Sequence, residues 1–162
     1  MSYDSKLCEE LRRVKHTLTW GEIFEWNYDY YIKIMLKFAE SIGRERVVEM
    51  IKTAVAEGFP PNQNPDPNFN FREWMARGNE ASRSMMAWET VEDSDTVHEI
   101  KATKCLWQDI FCRMGAGDIG YATICHGDFF SCKARHPKIT LYRTKTLMEG
   151  HDCCNHRWVY EK

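Results

Sequence analysis

Several familiar signatures are missing from this 162-residue chain, and each absence removes a class of function. Neither charge sign dominates: 22 basic and 24 acidic side chains leave a net charge of -2, so nothing draws the protein toward a polyphosphate backbone and nucleic acid is not an expected partner. The N-terminal stretch Met1–Arg13 has no apolar run that would serve as a signal peptide or a membrane span, because Asp4, Lys6, Glu9, Glu10, Arg12 and Arg13 interrupt it. A cytoplasmic protein without a membrane partner is therefore expected. No Cys-x-x-Cys pair, His-Glu-x-x-His helix, ferredoxin run or zinc ribbon occurs. A Gly-x-Ser-x-Gly elbow and a phosphate-binding glycine loop are also lacking. The stretch Gly115-Ala-Gly-Asp-Ile-Gly120 has the glycine spacing of a dinucleotide fingerprint, but it follows no strand, and the pyrophosphate site needs one.

What is present is an ordinary globular composition, 43% apolar and 28% charged, in a chain of one-domain size. We read residues 1–162 as a single domain, helical to about residue 82 and cysteine-rich from about 83. The seven cysteines are an odd number without a secretory signal, which favours free thiols, metal ligands or a cluster over disulfides.

Thr19-Trp-Gly-Glu22 has the form of a capping box, and Ile23, Trp26, Tyr30, Ile34, Met35, Phe38 and Ile42 follow at steps of three and four, mostly, predicting a long helix. Gly43 breaks it, and Val47, Ile51 and Val55 repeat the period. Residues 58–70 hold four of the five prolines and read as an internal loop. Asn70 is placed to cap a short helix to about Arg77. Ser84–Val91 and Val97–Cys105 predict a hairpin about a polar turn. Helical segments are expected over Leu106–Met114 and Ile119–Lys133. Two final strands are expected, one carrying Ile139, Leu141 and Leu147, the other Cys153–Tyr160. The sum is an α+β fold: N-terminal helices packed on an antiparallel sheet of about four strands, with a helical insertion between the strand pairs.

Chemistry concentrates between Cys105 and Cys154. In Cys125-His-Gly-Asp-Phe-Phe-Ser-Cys132, helical spacing puts Cys125, Asp128, Phe129 and Cys132 on one face, with His126 diverging, so Cys125 and Asp128 can point into a pocket walled by Phe129. Buried structural cysteines and a capping carboxylate are the plainer alternative. Cys153 and Cys154 must face opposite ways in a strand, and Cys153 is the favoured inward one. Dispersed ligands Cys105, Cys125, Asp128 and Cys153, near His126 or His156, would make a thiolate-rich site for zinc or iron. Arg143 with Lys145 is a candidate carboxylate receptor, against the alternative of a solvated sheet face. Cys8 and Cys112 are bystanders.

The ordered series Thr103-Lys-Cys-Leu-Trp-Gln-Asp-Ile-Phe111, Cys125-His-Gly-Asp128, Pro137 to Gly150 with its Arg-Thr-Lys-Thr-Leu, and Asp152-Cys-Cys-Asn155 resembles the L-2-amino-thiazoline-4-carboxylic acid hydrolase family. The resemblance is close over about the last 60 residues and extends more distantly to 4-vinyl reductase domains. It implies that water opens a cyclic aminothiazoline acid to an N-carbamoyl amino acid. Carried over, Cys125 or a metal-bound hydroxide would attack, Asp128 would act as general base or orienter, and Arg143 would hold the substrate carboxylate beside Phe129. Cys105 and Cys153 would ligate a metal (zinc, manganese, iron or an iron–sulfur cluster) or line the pocket. Family members commonly end Cys-Asp-Phe, where this chain has Cys154-Asn155-His156. The alternative function is a non-catalytic module that binds a metal, a cluster or a small ligand; a homo-oligomer is compatible with either.

Overall fold

A computed structural model describes residues 17–161. Helix α1 spans Trp20–Ile42 and starts at the expected capping box: Thr19 Oγ1 accepts the Glu22 N–H at 3.3 Å and the Glu22 carboxylate accepts the Thr19 N–H at 2.7 Å. Gly43, at φ 95°, turns the chain between α1 and α2 (Arg44–Gly58), a backbone conformation that a side chain would strain.

The face that α1 buries is only partly the one that its periodicity picks out. Phe24 and Ile32 are buried, with Tyr28, Tyr31 and Met35 packed beside them, while Trp26, Tyr30, Phe38 and Ile42 lie exposed. Apolar residues occupy two sides of this helix, so a period of 3.6 fits both, and only the packing partner decides.

The proline-rich segment is a loop strapped to the protein, with Asn62 donating its N–H to the Lys133 carbonyl and its Nδ2 to that of Arg135. Asn70 then caps α3, accepting the Glu73 N–H at 3.1 Å, and this helix runs through Phe71–Ser82.

Strands β1 (Met86–Asp93) and β2 (Val97–Cys105) form the hairpin. After them come α4 (Leu106–Arg113) and α5 (Gly117–Gly120), a π-helical turn over Tyr121–Cys125, and α6 (Gly127–Arg135). The expected single helix over Ile119–Lys133 is thus divided. Strands β3 (Ile139–Tyr142) and β4 (Cys154–Tyr160) complete an antiparallel sheet of order β1-β2-β4-β3. Leu147, expected in a strand, lies in a 3-10 turn over Leu147–Glu149: Thr146 caps the turn, and Gly150 leaves it at φ 85°. The chain between is held by Asn155, whose Oδ1 accepts the N–H groups of Thr144 and Lys145.

Two apolar clusters tie the layers. Ile32, Ile110, Phe111 and Ile119 join α1 to the insertion, while Phe71 and Met75 of α3 meet Cys132, Ile139 and Leu141 under the sheet. The insertion closes on itself where Gly120 passes Phe111: a Cβ there would lie 2.6 Å from the Phe111 ring, so glycine is required by contact.

Candidate active site

Strand register builds the site. Ile100 pairs with His156, Ala102 with Cys154 and His98 with Trp158, so period-2 alternation puts all six on one face. Cys154, not the favoured Cys153, therefore looks inward. Cys153 precedes the strand, its Sγ 3.7 Å from Asp152 Oδ1.

Over this face, between α3, the insertion and the sheet, lies a cavity of about 370 Å³. Four thiols line it, those of Cys105, Cys125, Cys132 and Cys154, together with four indoles, those of Trp74, Trp88, Trp107 and Trp158. Among the described residues Asp128 is its one carboxylate. The predicted association of Cys125, Asp128 and Cys132 thus holds across the π turn.

Arg143 fixes Asp128. Its side chain is only 1% exposed, against 40% for Asp128, and Nη1 donates to Asp128 Oδ2 at 2.5 Å. Nη2 donates to the Cys125 carbonyl at 2.7 Å, and Nη1 also meets His156 Nε2 at 3.0 Å. Burial alone would lower the Arg143 pKa, but the Asp128 carboxylate outweighs it and holds the guanidinium above its ordinary range. Arginine only donates, so His156 Nε2 is the acceptor and the neutral ring carries its proton on Nδ1. That Nδ1 is buried without a partner among the described residues, the ring stacked on Trp158.

These contacts revise three expected roles. Arg143 is not presented to the cavity as a carboxylate receptor, since Asp128, Cys125 and His156 already engage it. Phe129 is not a cavity wall: it packs under Arg143, whose guanidinium lies 4.8 Å from its ring centre. Lys145 pairs with Asp152 away from Arg143.

Thiol electrostatics revise a fourth. Burial raises the pKa of Cys105, Cys125 and Cys154, and lifts that of Cys132 to about 11. Cys132 donates its S–H to the Asp128 carbonyl, and Cys154 accepts the Leu147 N–H. All four are neutral thiols near pH 7, so Cys125 is not poised as a thiolate nucleophile. Among the described residues no group of three or more His, Cys, Asp and Glu side chains is arranged to hold a metal ion. The expected set of Cys105, Cys125, Asp128 and Cys153 does not converge, because Cys153 points elsewhere. The described side chains do not fit a zinc, manganese, iron or cluster site.

Cys112 is exposed and apart from the cavity, as expected; Cys8 lies outside the described residues. His156 was noticed in the sequence only as a neighbour of candidate ligands. Its role in the Asp128 assembly depends on register with β2 and has no local signature. No helix among the described residues is long and apolar enough to cross a membrane.

No individually curated protein matches the chain. Residues 23–158 match the L-2-amino-thiazoline-4-carboxylic acid hydrolase family, a span that takes in every cavity residue named above and all of the elements but the first turn of α1 and the end of β4. The chain belongs to that family.

Proposed function

We propose that this protein hydrolyses a small cyclic amidine of the thiazoline type, with water as nucleophile and Asp128 as general base. The observation that carries the reading is the asymmetry of Asp128. Oδ2 is clamped by buried Arg143, while Oδ1 makes no hydrogen bond among the described residues and the carboxylate faces a largely apolar cavity. A base fixed on one oxygen and open on the other has the geometry that proton abstraction from a bound water needs.

Water adds through oxygen to the electrophilic C2 of the protonated ring, and one of its protons passes to Asp128. The C2–S bond breaks as C2–O becomes a carbonyl. Sulfur takes the proton held on Asp128, and the proton left on the carbonyl oxygen goes to solvent. The products are a carbamoyl group on nitrogen and a free thiol. Cys125 serves as wall and weak S–H donor to the departing sulfur rather than as nucleophile.

Release of free thiol from 2-amino-2-thiazoline and from its 4-carboxylate tests the reading. Asp128→Asn should lower kcat on the compound that is opened by about 10²–10⁴-fold, the usual worth of a general base. Cys125→Ala should lower it less than tenfold. Thiol release from neither compound, or full activity in Asp128→Asn, would overturn the proposal.

A further inference from the structure

The cavity's charges point to a substrate class that differs from the acid for which the family is named. We propose that it selects a cyclic amidinium cation without an acidic substituent, held by an indole cage and the Asp128 carboxylate. This rests on the cavity being the site of the hydrolysis proposed above.

Among the described residues no arginine or lysine lines the cavity, and the one full charge is the carboxylate of Asp128. Neither Arg143 nor Arg83 belongs to the lining. Arg143 is bound to Asp128 Oδ2, the Cys125 carbonyl and His156, and Arg83 lies 5.4 Å over Trp88 without joining the lining. Several neutral donors of the lining are committed as well. Trp107 Nε1 is given to Tyr28, Asn79 Nδ2 to His98 and Ser131 Oγ to the Asp128 carbonyl, while His156 Nδ1 is buried out of a ligand's reach. An acid group entering here would lose its hydration, meet no cation and face Asp128, which is a large cost for an unpaired charge.

A cation meets the opposite conditions. Four of the protein's six tryptophans line this space, and indole is the strongest aromatic partner for a cation. Asp128 Oδ1 remains free to accept from an amidinium N–H. Arg143 weakens this attraction without cancelling it, because a cation touching Oδ1 lies nearer the carboxylate than the guanidinium bound to the other oxygen, and Coulomb energy falls with distance. A ring of amidinium nitrogens and sulfur, flat and singly charged, matches both the cage and the carboxylate.

The test uses the fluorescence of those tryptophans in the full chain at pH 7, titrated with 2-amino-2-thiazoline and separately with 2-amino-2-thiazoline-4-carboxylate. The carboxylate-free cation should bind at least tenfold more tightly. Trp74→Leu and Trp88→Leu should each weaken it about tenfold, the scale of a desolvated cation–π contact, with near-ultraviolet circular dichroism checking the fold. Equal or tighter binding of the carboxylate by the unaltered protein overturns the inference, and if thiol is released from it the hydrolase reading survives alone. Preference for the cation without thiol release from either compound leaves the cation cage standing and removes the hydrolase. No binding of either compound overturns the cage.

Discussion

Two buried histidines, on neighbouring strands of the same sheet face, have opposite hydrogen-bond accounts. His98 is fully engaged: Nδ1 meets Asp93 Oδ1 at 3.0 Å and Nε2 meets Asn79 Nδ2 at 3.0 Å. His156 has Nε2 on Arg143 and leaves Nδ1 buried without a partner. A buried polar atom left unpaired costs about 1–3 kcal/mol. The His98 end of the face is built for stability. The His156 end gives some of that up to hold Arg143, and through it Asp128.

The difference should be widest at alkaline pH, where the thiols beside His156 ionise in the unfolded chain before they do in the folded one. Burial raises the pKa of Cys105, Cys125, Cys132 and Cys154, so the folded state favours their protonated forms. Their stabilisation is complete below the unfolded thiol pKa of about 8.5 and is lost as pH climbs through the folded values, which for Cys132 means about 11. Chemical denaturation from pH 7 to 10.5 should show stability falling above pH 8.5, and a Cys125→Ala, Cys154→Ala double variant should flatten that fall. A flat profile in the unaltered protein would contradict it.

Next in size is Arg143→Met. Removing one partner of a buried pair costs 3–5 kcal/mol, and because Asp128 is half open we expect about 3 kcal/mol here, with turnover falling as far as in Asp128→Asn. Full activity with lowered stability would show that Arg143 supports the fold alone.

His98→Phe should cost about 1–3 kcal/mol, since Asn79 and Asp93 lose their partner, while ligand affinity stays within twofold. His156→Phe restores the ring common in the family and removes the unpaired N–H, so its stability should lie within about 1 kcal/mol of the parent. If His156→Phe proved the more damaging of the two, the contrast between the ends of the sheet would be wrong.

Much of this was legible in the sequence. The Thr19 box, the Gly43 break, the Asn70 cap and β2 follow from local chemistry that needs no partner, and all were found in place. Cys125 and Asp128 were legible as a pair because three-residue spacing brings them together on one side of a helix. Cys154 in place of Cys153 was not: adjacent strand residues differ only in which face the pairing with Ala102 assigns them. Arg143 was singled out for the right charge and the wrong use, because a sequence does not show that its guanidinium folds back onto Asp128 and the Cys125 carbonyl. The exposed side of α1 failed for a related reason, as two apolar faces compete and packing on the insertion chooses.

The π turn at Tyr121–Cys125 has a genetic consequence. It closes with the His126 N–H on the Tyr121 carbonyl, one residue wider than an α-turn. The turn holds one residue more than the α-turn it replaces, so losing one codon in this segment would let the helix run on unbroken with Asp128 still in phase toward the cavity. A codon lost from the regular start of α6, before Asp128, has no such slack and would swing the carboxylate by about 100°. The same length change is therefore tolerable on one side of His126 and ruinous on the other.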